Sequence, residues 1–208
     1  MSRFDVVDIS DYCLEVRVES AATAQAYARA IRDLDLFDEV VPGLESVAIL
    51  YHTTLFPSDR VVEIVRECLD TAPAEWHANA GERRVRIRYG GKNGPDFSKI
   101  CSDLGVSPQA FISLHTARAY RVEMIGFTPG FSYLGGLSDK LNVPRLLSPR
   151  QHVPAGSIGI CGVYTGIYAM GGPGGWPIIG HSADDFFDAS KTPPFLIEPG
   201  MSVRFEAI

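Results

Sequence analysis

The sequence is short of positive charge, of cysteine and of long apolar runs, and each shortage closes off a class of function. With 19 Lys and Arg against 25 Asp and Glu, the formal net charge is −6. Nucleic-acid binding favours clustered cations through counterion release, so no nucleic-acid partner is expected. No stretch approaches the roughly 20 apolar residues of a spanning helix, which excludes a membrane role of that kind. The opening MSRFDVVDIS lacks a basic region followed by a continuous apolar one, so the expected compartment is the cytoplasm. Cys13, Cys68, Cys101 and Cys161 stand far apart, without a C-x-x-C pair; reduced, mostly buried thiols and no metal site follow. Internal repeats and low-complexity tails are missing as well.

What is present reads as two regions. Residues 4–19 form two extended stretches around a polar break at Ser10-Asp11, with Leu14, Val16 and Val18 alternating against charge. An Ala-rich helix over 20–34 opens on the cap-capable Ser20, a strand follows at 46–52, and a helix over 58–72 takes Ser58 as its N-cap and Pro73 as its stop. This order folds as a small α+β sandwich. The polar stretch 72–82, broken by Pro73 and Gly81, marks a boundary, giving domains over 1–78 and 79–208. Beyond it come a strand at 83–89 whose arginines alternate with Val85 and Ile87, a helix from near Asp96, and a helix at 107–116 with Pro108 after Ser107. From Ala119 onward short β-type runs alternate with Gly and Pro, the pattern of a closed or sandwiched all-β domain.

The chemistry concentrates in that second region. GFTPGFSYLGGL, residues 126–137, strings aromatic rings between glycines and a proline. Such a segment weakens a strand, so it is either a tight barrel corner with packed rings or a loop whose bare backbone and rings meet a ligand. PRLLSPRQHVPAGSIG, residues 144–159, carries Arg145 and Arg150 on rigid Pro-Arg dipeptides, and a guanidinium fork suits a carboxylate. His152 and His181 lie in Gly- and Pro-rich loops and are the candidates for proton transfer. Ser157 sits in AGSIG, a near miss to the nucleophile elbow followed by β-like rather than helical sequence; it is a candidate catalytic hydroxyl acting on a carbonyl, or a hydroxyl or backbone donor to an anion. Phe127, Phe131, Tyr164, Thr165 and Trp176 are the candidate pocket walls, with Trp176 in PGGWP expected as a displayed ring. His115 ends a helix, where a structural role is the default. GGKNG at 90–94 lacks the spacing of a phosphate loop.

The string GFTPGFSYLGGL, PRLLSPRQHVPAGSIGICG and TGIYAMGGPGGWPIIGHS, with GPD at 94–96 and the closing EPGMSVRFEAI, resembles the KipI or allophanate hydrolase subunit 1 family, which includes the B-type component of 5-oxoprolinase. The resemblance implies a small N-terminal α+β domain followed by a cyclophilin-like β-barrel. It implies a hetero-oligomer with a companion of the allophanate hydrolase subunit 2 type, the C-type component of 5-oxoprolinase, and a third, lactam-utilisation subunit. The implied reaction is ATP-dependent opening of 5-oxoproline or related carboxylation and amide chemistry on a small carboxylated substrate, with ATP held either by this chain or elsewhere in the complex. The rival implication is a protein that binds and inhibits a sensor histidine kinase. Ser132, Tyr164, Ala169 and His181 depart from the family's pattern, and of these Tyr164 and His181 bear on substrate choice.

Overall fold

The computed structural model describes residues 4–73 and 81–208. The chain divides into two compact units, Met1–His77 and Ala78–Ile208; the boundary expected at 78/79 lies outside the described residues.

The first unit is a four-stranded antiparallel sheet of order β1-β2-β4-β3, built from β1 (Asp5–Ser10), β2 (Cys13–Arg17), β3 (Glu39–Pro42) and β4 (Ser46–Leu50). Only one sheet face is buried: Leu14, Val16, Val47 and Ile49 share a single core with α1 (Ala21–Arg32) and α2 (Ser58–Thr71), so both helices cover that face. Ser20 caps α1, its hydroxyl accepting from the Thr23 N–H at 3.1 Å. Ser58 does not cap α2. It is the first helical residue, Pro57 supplies the extended cap position, and the Ser58 hydroxyl donates to Asp8 at 2.8 Å.

The second unit is a closed seven-stranded barrel of order β10-β7-β6-β13-β5-β12-β9. Its strands are β5 (Glu82–Tyr89), β6 (Ala119–Ile125), β7 (Ser132–Gly135), β9 (Ser157–Cys161), β10 (Tyr164–Ile167), β12 (Ile178–His181) and β13 (Ser202–Ala207); β8 (Arg150–Val153) and β11 (Gly172–Gly174) form a separate two-stranded flap. The arginine-rich β5 is a barrel strand, parallel to β13 and antiparallel to β12. Val85 and Ile87 point into the core while its arginines stay exposed. Two helices, α3 (Phe97–Leu104) and α4 (Pro108–Thr116), are inserted between β5 and β6, and Ser107 caps α4 by accepting from the Ala110 N–H.

His115 at the end of α4 is fully buried, and every polar atom of its ring is used. The Tyr89 hydroxyl donates to Nδ1 at 2.7 Å, Nε2 faces the Thr165 hydroxyl at 3.0 Å, and that hydroxyl donates to the Gly159 carbonyl. Phe205 stacks on the imidazole at 4.7 Å. Burial pushes this imidazole down to about 3, so it is a neutral strut inside the barrel. All four cysteines are free, but only Cys101 is buried and the others are half-buried.

Candidate functional site

The loop between β6 and β7 is built from two turns fused end to end. The Thr128 N–H donates to the Gly126 carbonyl at 3.0 Å around Phe127, whose φ is +73°; this is a γ-turn of the strained hand. The Phe131 N–H then donates to the Thr128 carbonyl across Pro129 and Gly130, with Gly130 at φ +75°, as a type II turn requires. Together they hold Phe127 out, 60% exposed, and turn Phe131 in.

Phe131 is the hub of an aromatic cluster. Tyr133 and Tyr168 meet it edge-on at 4.8 Å, Trp176 at 5.2 Å and Phe127 at 5.7 Å. Gly166 on β10 makes the space: a Cβ there would lie 2.7 Å from Phe131 Cζ and 2.9 Å from Trp176. The five rings, with Pro149, Pro173, Gly174 and Arg145, line a cleft of about 250 Å³. Arg145 is the cation on this wall, and it stands against Cys161 and Tyr133. Burial pushes both of those groups up, partly offset by the guanidinium. An apolar, ring-lined cleft with one guanidinium fork is suited to a small flat molecule carrying a carboxylate.

The other predicted residues assemble elsewhere on the barrel. Arg150, His152, Ser157 and His181 line a second cleft of about 360 Å³ with Lys92 and Asn93. Ser157 and His181 are register partners across β9 and β12. His181 Nε2 lies 2.8 Å from the Ala155 carbonyl; a carbonyl only accepts, so Nε2 carries the proton and Nδ1 is the basic atom of the neutral ring. His152 passes over Gly171, where a Cβ would stand 3.0 Å from its Cε1. Arg145 and Arg150 meet only in a broader groove of about 730 Å³ between the two clefts, whose residues include the fully exposed Leu147.

Several expectations need correction. Trp176 is not displayed: it is 5% exposed, with its ring inside the cluster. Thr165 is completely buried and commits its hydroxyl to His115 and Gly159, so it lines neither of these clefts. Tyr164 stands behind Tyr133, ring centroids 6.0 Å apart, outside the residues lining either cleft. Arg150 is not a free fork. Its Nη2 pairs with Asp96 at 2.7 Å, and the other Asp96 oxygen accepts the Ile178 N–H at 2.6 Å, so Asp96 ties β8 to β12. Sequence reasoning noted Asp96 only as a helix start and within GPD, and it passed over Tyr133, Tyr168 and Lys92. Tyr133 lies inside the quoted aromatic segment and was the most readable of these. Among the described residues, no group of three or more His, Cys, Asp or Glu is placed to hold a metal ion, and no helix is long and apolar enough to cross a membrane.

Comparison with known proteins gives a consistent set of relatives. The family model of the carboxyltransferase domain, subdomains C and D, matches residues 6–197. The B-type component of 5-oxoprolinase from Escherichia coli O157:H7 is 36% identical over 197 residues, spanning 92% of this chain and 88% of that protein. Among solved structures, TTHA0988 superposes with a TM-score of 0.80 at 29% identity over 95% of this chain and 40% of its own, so it is a much longer protein. Urea carboxylase from Kluyveromyces lactis superposes equally well, TM-score 0.80, over 99% of this chain and 22% of its own, but at 13% identity that likeness is one of fold alone.

Proposed function

The chain belongs to the family of carboxyltransferase domains, subdomains C and D, and from that premise we propose that it is the B-type component of a 5-oxoprolinase complex, which opens 5-oxoproline to glutamate in a reaction driven by ATP. The observation that carries this reading is the ring-lined cleft with Arg145 on its wall. A five-membered lactam is flat, apolar on its faces and carries one carboxylate, and the cleft offers aromatic faces and edges for the first and a guanidinium for the second. His181, with its basic Nδ1, and the Ser157 hydroxyl stand in the neighbouring cleft as the candidates for moving a proton and orienting a carbonyl.

ATP belongs to a companion in this reading. The 90–94 turn of this chain has no phosphate-loop spacing, and a Cβ at Gly94 would run into the Ile179 backbone, so that glycine serves packing against β12 rather than a nucleotide. The shared-site arrangement is supported by the groove between the clefts, which is open and carries the exposed Leu147 at its rim. A kinase-binding surface would display several rings; here Phe127 is exposed but Phe131 and Trp176 are enclosed, which favours the cleft reading. The test is reconstitution: the chain purified with its C-type and lactam-utilisation companions should release glutamate from 5-oxoproline only when ATP and all the components are present. Full activity from the companions without this chain contradicts the proposal.

A further inference from the structure

We propose that the cleft lined by Lys92, Arg150, His152, Ser157 and His181 is a binding site for a tetrahedral phosphate group, separate from the aromatic cleft. The donors come from three segments: Lys92 from the turn after β5, Arg150 and His152 from β8, and Ser157 from the start of β9; His181, at the end of β12, completes the wall with its proton committed to the Ala155 carbonyl. No carboxylate lines this cleft. The nearest one that matters, Asp96, has both oxygens engaged by Arg150 Nη2 and the Ile178 N–H, so it holds the guanidinium in place and has little capacity left to neutralise a ligand's other donors.

Two donors have no protein acceptor. Arg150 Nη1 is buried without a hydrogen-bond partner, and Ser157, 2% exposed, makes no side-chain hydrogen bond among the described residues. A buried guanidinium N–H left unmet is costly, and an anionic oxygen in the cleft would meet it. The donor set also selects the ligand. A planar carboxylate is served by one guanidinium fork, but donors spread over three segments match oxygens pointing in several directions, with lysine acting as a point charge on phosphate. No Phe, Tyr or Trp lines the cleft to stack a base, which argues for a lone phosphoryl group over a nucleotide. Ser157 and His181 are also the candidates named above for the proposed reaction, but phosphate binding is read without turnover, so its failure and the failure of that reaction are distinguishable.

The experiment titrates the full-length chain with inorganic phosphate by calorimetry while the histidine ring resonances are followed by NMR, with methyl phosphate run in parallel. Saturable one-to-one binding that shifts His152 and His181 is expected. Ser157→Ala and Lys92→Ala should each weaken it about tenfold, and Arg145→Ala, in the other cleft, should leave it unchanged. Tighter binding of inorganic phosphate assigns the site to a free phosphate, and tighter binding of the ester assigns it to a phosphoryl group on a larger molecule. Lys92 is exposed on a turn, so its variant reports on binding without disturbing the barrel. Absence of saturable binding at millimolar phosphate, or binding indifferent to Lys92→Ala and Ser157→Ala, overturns the proposal.

Discussion

At the residue scale the most informative side chain is Phe127, because its backbone is held where a non-glycine residue is strained, at φ +73°. A left-handed conformation of this kind costs about 1–3 kcal/mol, and the single edge contact Phe127 makes with Phe131 contributes about 0.5–1.5 kcal/mol. That contact offsets only part of the strain at the middle of these ranges, which fits a ring kept for a ligand. Phe127→Gly should change the unfolding free energy by less than about 1 kcal/mol in urea titration while weakening substrate binding. Phe131→Ala, at the hub of the same cluster, should cost about 3–5 kcal/mol. His115 gives a second test. Its folded value, about 3, lies below the ordinary one of about 6.5, so as pH falls through about 6.5 the unfolded chain takes up a proton that the folded chain refuses. Stability is then lost with falling pH from about 6.5 down to about 3, at up to about 1.4 kcal/mol per pH unit. Urea midpoints at about pH 7 and about pH 5 should show this slope in the native chain and a shallower one in His115→Gln; equal slopes would show that the imidazole is not held neutral.

At the scale of elements, local signals were legible and distant pairings were not. The Ser20 cap, the helix starts after Ser20 and Ser107 and the alternation in β5 follow from spacing alone, and the structure shows each. The short edge strand β3, EVVP, carried no signal because four residues ending in proline hold too little alternation. Ser58 was misread because a serine before an apolar run signals a cap, yet the chain enters α2 from Pro57 and the hydroxyl finds Asp8, fifty residues away. Nothing in β5 announces that its parallel neighbour is β13, which aligns Arg84 with Arg204. Trp176 failed for the same reason: the slot that encloses it is opened by Gly166 on another strand. Gly166→Ala tests that account. A Cβ would press on Phe131, Trp176 and the Ser132 carbonyl, so the variant should lose about 1–3 kcal/mol and its tryptophan fluorescence should shift toward the red as the ring is displaced. An unchanged spectrum and midpoint would mean the cluster does not depend on that missing methyl.

For the molecule as a whole, the sequence named most of the candidate residues but could not divide them. Arg145 and Arg150 look equivalent as Pro-Arg pairs, and only the fold reveals that one faces the aromatic cleft while the other is held by Asp96 in the basic one. The two proposals divide along the same line: rings and Arg145 for a flat carboxylate, and the Lys92, Ser157 and histidine wall for a second anionic group. The clefts are linked by an open groove to which both arginines contribute, so a ligand reaching from one to the other lies along a surface a companion protein would cover. The claim on which this rests most heavily is that Arg145 holds the substrate carboxylate. The most direct measurement is steady-state kinetics of 5-oxoproline opening by the reconstituted complex carrying Arg145→Ala. Loss of a charge-assisted contact made equally in ground and transition states should raise KM about 10- to 100-fold with kcat within about twofold of native; a KM that does not move would contradict the assignment of the aromatic cleft as the substrate site.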